Sequence, residues 1–131
     1  MKKWLYPVIF LIIFTFSACA GEDPHSNSSM PEFVDVEILM PDEIEVGETV
    51  QIQCRVTQGD ETVNDADEVE FELWKDGDPD DQHQEIEGTL EGDGIYYIDY
   101  TFDEPGTYYV ISHVTAREYH IMPQKEFKVV E

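Results

Sequence analysis

The chain has 131 residues, of which 30 are Asp or Glu and only seven are Lys or Arg, giving a formal charge of −23 at pH 7. A field of that sign repels phosphate backbones and anionic lipid and concentrates cations, so nucleic-acid binding is excluded. The length allows one small domain, and two cysteines, Cys19 and Cys54, are too few for a disulfide framework.

Met1-Lys2-Lys3 is a positive start, and Trp4 to Phe16 is an almost unbroken apolar run too short to span a bilayer as a mature helix. This is the form of a secretory signal. The run ends in Phe16-Ser17-Ala18-Cys19, small residues before a cysteine as at a bacterial lipobox. The pattern predicts that residues 1–18 are removed, that Cys19 carries diacylglycerol, and that the protein is held at the outer face of the cell membrane. Loss of Lys2 and Lys3 would take the formal charge from −23 to −25. Residues 19–31 are small, polar or proline and read as a flexible tether in which His25 and Met30 have no structural role.

From residue 32 the chain reads as strands. Phe33 to Leu39 alternates loosely, Ile44-Glu45-Val46 is a short extended piece, and Thr49 to Thr57 is the clearest strand. In it Val50, Ile52, Cys54 and Val56 face one way and Gln51, Gln53 and Arg55 the other, as in a sheet with one face in the core. Cys54 is therefore read as a buried, inert thiol. Val69, Phe71 and Leu73 mark the next strand, with Trp74 at its end. Glu85 to Leu90 and Ile95 to Phe102, joined by Glu91-Gly92-Asp93-Gly94, read as a hairpin with Tyr96, Ile98, Tyr100 and Phe102 inward. Phe127 and Val129 mark a closing strand. About seven or eight short strands with turn signals between them, and no helical pattern after the signal, predict an all-β antiparallel sandwich.

Between these strands, Asp76-Gly77-Asp78-Pro79-Asp80-Asp81 is a carboxylate-rich loop. Counted from Asp76, the residues Asp78, Asp80 and Glu87 fall at the third, fifth and twelfth places of a calcium-binding EF-hand loop. Asp81 stands where that motif needs Gly, and no helix pattern flanks it, so a solvated acidic loop is the competing reading.

The stretch Thr107 to Met122 carries the most chemistry. Tyr108, Val110, Ser112 and Val114 alternate with Tyr109, Ile111, His113 and Thr115, and a polar break at Arg117-Glu118 precedes a second extended run. A hairpin centred on the break sets Ala116 opposite Tyr119, Thr115 opposite His120 and His113 opposite Met122. Opposed side chains have Cβ atoms roughly 4.5–5.5 Å apart, so His113, His120 and Met122 would converge on one ion, with His83 as a further ligand if its loop lies alongside. Arg117-Glu118 lacks the Gly or Asn of a tight turn, which leaves a longer loop and a shifted register open. Imidazole and thioether together suit copper better than they suit hard cations.

Tyr108 to Pro123, YYVISHVTAREYHIMP, resembles the C-terminal segment of the YtkA-like domain of small Gram-positive lipoproteins, related to the FixH-like group. The likeness is strongest at His113-Val114-Thr115-Ala116, His120 and Met122-Pro123, and weaker over residues 33–131. It implies an immunoglobulin-like β-sandwich outside the membrane and a link to copper or to respiratory-oxidase assembly.

No motif of nucleophilic, zinc-protease or phosphate-binding catalysis is present, so an enzyme is not expected. Two functions remain. One is a lipid-anchored protein that captures or delivers copper, partnered with a respiratory oxidase or another copper-handling envelope protein. The other is an interaction module docking on an envelope protein through a patch of Tyr97, Tyr109 and Ile111.

Overall fold

The computed structural model describes residues 32–131. The signal, Cys19 and the tether with His25 and Met30 lie outside the described residues. Among the described residues the period-2 patterns become eleven strands: β1 (Val34–Leu39), β2 (Glu43–Glu45), β3 (Thr49–Gln58), β4 (Glu61–Thr62), β5 (Glu68–Lys75), β6 (Gln84–Glu87), β7 (Thr89–Gly92), β8 (Ile95–Thr101), β9 (Gly106–Ala116), β10 (Tyr119–Ile121) and β11 (Gln124–Val130). The number exceeds the seven or eight expected because β2, β4 and β10 are two- or three-residue pieces and one expected strand is split.

The first sheet has the order β1-β3-β8-β7, with β4 added to β3. The second has the order β2-β11-β9-β5-β6, with β10 continuing beside β9. Strand pairs are antiparallel except β2 with β11, which is parallel and makes the second sheet mixed. The inward faces meet in one core: Val34, Val36, Ile52, Cys54, Val56 and Ile98 from the first sheet against Val69, Phe71, Leu73, Val110, Val114, Phe127 and Val129 from the second. Each fully buried aliphatic or aromatic side chain contributes about 1.5–3 kcal/mol, so the alternation of apolar residues fixes which face of each strand turns outward. Tyr96, Ile98 and Phe102 face inward as expected, and Tyr100 is half-buried at the sandwich end. This is a β-sandwich.

The run read as a single strand from Glu85 to Leu90 is divided. β6 pairs with β5 in one sheet and β7 with β8 in the other, and the chain changes sheets at Gly88. There the Gly88 N–H donates to the Val69 carbonyl at 2.8 Å. A Cβ at this position would stand 2.9 Å from Phe71 Cε2 and 3.2 Å from Val69 Cγ1, so any larger residue would have to push these side chains aside. At the other end of the sandwich Tyr108, just after the Gly106 turn, donates its hydroxyl to the Glu104 carbonyl at 2.9 Å. That bond back to upstream backbone is the corner by which immunoglobulin-like domains fix entry into a late strand.

The β9–β10 hairpin has the register read from the sequence, Ala116 with Tyr119 and Thr115 with His120. Its turn is the tight two-residue kind, with Arg117 at φ 48° and Glu118 at φ 71°. Neither residue favours that conformation. Side-chain anchoring compensates: the Arg117 guanidinium makes two bonds to Glu61, at 2.7 and 3.0 Å, and one to Gln58 at 2.8 Å.

Candidate metal centre

Because Val110, Ser112, Val114 and Ala116 are fully buried, their neighbours Tyr109, Ile111, His113 and Thr115 line the outer face of the second sheet. For the same reason Glu68, Glu70, Glu72 and Trp74 line that face on β5. The pairs Ile121–Val114 and Gln124–Ile111 share one register, and Ser112 N–H donates to the Pro123 carbonyl at 3.1 Å between them. Met122 therefore lies opposite His113. Met122–His113 and His120–Thr115 both fall at the closely spaced, non-hydrogen-bonded steps of the ladder, where opposed side chains approach most. The two imidazoles have ring centroids 6.0 Å apart, inclined at 32°. His113 and His120, with Glu68, Glu70 and Glu85, line a shallow cavity of about 160 Å3. Met122 is half-exposed and is not among the residues that line it.

Hydrogen bonds orient these rings. His113 Nε2 lies 2.8 Å from Glu72 Oε1, and an ionised carboxylate only accepts, so Nε2 carries the proton and Nδ1 is the free donor atom. His120 Nδ1 is 2.9 Å from Thr115 Oγ1, which leaves Nε2 outward. With metal–nitrogen bonds of about 2 Å, two imidazoles sharing one ion have ring centroids roughly 5–6 Å apart, so the separation fits a shared ion after small rotations. A ligating histidine typically donates its second N–H to a carboxylate, and Glu72 fills that place for His113. Among the described residues, no three His, Cys, Asp or Glu side chains are already gathered to hold an ion. By register, the thioether-bearing side chain beside His113 is that of Met122.

His83 is placed differently from the other three. The 3-10 turn Asp80–Gln82 brings it to the far side of Glu72, where its Nδ1 is 2.6 Å from Glu72 Oε2. Its ring stacks on Trp74 at 4.4 Å and 6°, and Trp74 in turn stacks on Tyr109 at 5.5 Å. His83 thus buttresses the carboxylate that holds His113. The hydrogen bond from His83 keeps the Glu72 carboxyl below its ordinary range, with His113 adding to the effect against burial. The same bond raises His83. Glu70 is held above its ordinary range by burial and by its neighbours Glu85 and Glu68.

Glu72 had no distinguishing mark in a chain with thirty acidic residues. Alternation puts it outward on β5, but that β9 is its neighbour is a property of topology, not of the local pattern.

The EF-hand count groups residues that the fold separates. Glu87 is on β6 opposite Glu70, and Asp78 turns back to accept the Lys75 N–H at 3.0 Å. Asp80 is fully exposed with an oxygen 3.8 Å from His83 Nε2, and Asp76 closes β5 by donating its N–H to Thr107. Nor do Tyr97, Tyr109 and Ile111 make one patch. Tyr97 belongs to β8 in the first sheet, whereas Tyr109 and Ile111 are on the outward face of the second, and all three are half-buried. Cys54 is buried as expected, and burial pushes its thiol up to about 12 despite the nearby Ser112 hydroxyl.

An immunoglobulin-like β-sandwich bearing an imidazole–carboxylate face is the class that these features define. The family model described as YtkA-like matches residues 30–113. The chain belongs to the YtkA-like family. The match ends at His113, so His120 and Met122 lie beyond it. No curated protein matches the chain in sequence. Among solved structures, an engineered protein aligns at TM-score 0.61 and 17% identity over 77% of this chain, which spans only 21% of that one. The PmoD soluble domain from Methylocystis sp. ATCC 49242 (Rockwell) aligns at 0.51 and 13% identity over 76% of this chain and 92% of its own. The superoxide reductase (neelaredoxin) from Ignicoccus hospitalis aligns at 0.50 and 14% identity, over 79% and 85%. At these identities the likeness shows the fold alone.

Proposed function

We propose that this protein binds one copper ion outside the membrane, captures or delivers it without catalysing a reaction, and is tethered by a lipid on Cys19. His113 through Nδ1, His120 through Nε2 and Met122 through its sulfur are the donors, and Glu72 orients His113. The observation that carries the reading is the cross-strand geometry: three soft or borderline donors at adjacent close-paired steps on one sheet face, with imidazole centroids 6.0 Å apart. The surrounding acidic surface favours arrival of a cation. A respiratory oxidase or another copper-handling envelope protein is the partner that such a site would serve.

Competition against a chromophoric copper chelator should show one ion per full-length chain, and His113→Ala should weaken binding about tenfold or more. No binding, or an unchanged affinity in the variant, would refute the reading. Cys19→Ala should release the protein from membranes, and retention there would refute the anchor.

A further inference from the structure

Three side chains form one row across neighbouring strands of the second sheet. Glu70 on β5 is opposite His113 on β9, and Met122 is opposite His113 on the other side. His120 sits one step along, sharing the 160 Å3 cavity with His113 and Glu70. His113 is therefore flanked by a carboxylate on one strand and a thioether on the next, at the ordinary strand spacing of about 4.8 Å on each side. The two flanks differ in softness. Thioether sulfur selects Cu(I), whereas carboxylate oxygen with imidazole suits Cu(II). Glu70 is further crowded by Glu68 and Glu85 at the cavity wall, and a dication there would relieve the repulsion among three carboxylates.

We infer that the His113–His120 pair is a common platform for both oxidation states, completed by Met122 when the ion is Cu(I) and, once its carboxylate turns across the shared cavity toward a pair it does not yet meet, by Glu70 when it is Cu(II). This rests on the copper reading above and adds to it the basis for holding either ion. A carrier built this way keeps its cargo if the surroundings change the oxidation state, because two of three donors are retained.

The test compares Cu(I) affinity, measured without oxygen against a Cu(I) chelator, with Cu(II) affinity against a Cu(II) chelator, using the full chain. Met122→Leu should weaken Cu(I) binding about tenfold or more and leave Cu(II) within about threefold, and Glu70→Gln should do the reverse. The electron paramagnetic resonance spectrum of the Cu(II) form should change in Glu70→Gln and persist in Met122→Leu. Equal effects of the two substitutions on both ions, or no effect of Glu70→Gln on Cu(II), would overturn the inference while leaving the copper reading intact. If His113→Ala leaves both affinities unchanged, the copper reading falls and takes this one with it.

Discussion

Gly88→Ala tests the crossing that carries β6 to the face where Glu85 and Glu87 stand. The new methyl would meet Phe71 Cε2 at 2.9 Å and Val69 Cγ1 at 3.2 Å. Phe71 is fully buried in a close-packed interior, so either the crossing must lift or the ring must shift. Overpacking of this kind costs about 1–3 kcal/mol. For a domain of this size each kcal/mol lowers the melting temperature by about 4–8 °C, so a fall of roughly 5–20 °C is expected. Circular-dichroism melts and urea titration measure it, and the protein should remain folded, since ordinary domain stability is about 5–15 kcal/mol. A double-mutant cycle identifies the cause. Phe71→Leu alone opens a cavity, but in the Gly88→Ala background the added methyl occupies part of that space. The double variant should then be more stable than additivity predicts, by more than about 0.5 kcal/mol. A Gly88→Ala variant within about 0.5 kcal/mol of the parent, or strict additivity with Phe71→Leu, would refute the packing argument.

Two further outcomes follow from the polar groups. His83, held up by Glu72, should titrate by NMR with a midpoint above its ordinary 6.5 and fall back in Glu72→Gln, because an amide oxygen accepts from only one of the two imidazoles. The raised His83 lends stability that is complete below pH 6.5 and lost as pH rises through its folded value, while the lowered Glu72 lends stability present above 4.5 and lost as pH falls through its own; a wild-type midpoint at or below 6.5 would contradict the pairing. In a Cys19→Ala variant, Cys54, with its thiol near 12, should resist aromatic disulfide reagents at pH 8 until the protein is unfolded, and rapid labelling of the native state would show the core to be open there.

Much of the fold was legible because burial imposes a period of two. Val50 to Val56 and Val110 to Ala116 leave one arrangement in which their apolar faces meet, and the His120–Thr115 pairing follows once the chain turns at Arg117-Glu118. The tightness of that turn was not legible, because its stabilisation comes from Glu61 and Gln58, more than fifty residues away. The division at Gly88 was hidden for a similar reason. Ile86 and Leu90 continue the apolar spacing, and the close approach at Gly88 depends on Phe71 from another strand. At the candidate site the imidazoles were readable, but which of thirty carboxylates would bond to His83 and His113 was decided by the order of strands in the sheet.

Pro123 brings a last consequence for the strand that carries Met122. Ser112 gives its N–H to the Pro123 carbonyl, yet Pro123 has no N–H to return, so this rung of the ladder carries one bond where an ordinary residue would give two. The missing bond is next to Met122, while Phe127 and Val129 further along keep the strand rooted in the interior. Beside Met122 the strand is thereby pinned by fewer backbone bonds than an unbroken ladder would supply, while the buried residues further along keep it in register.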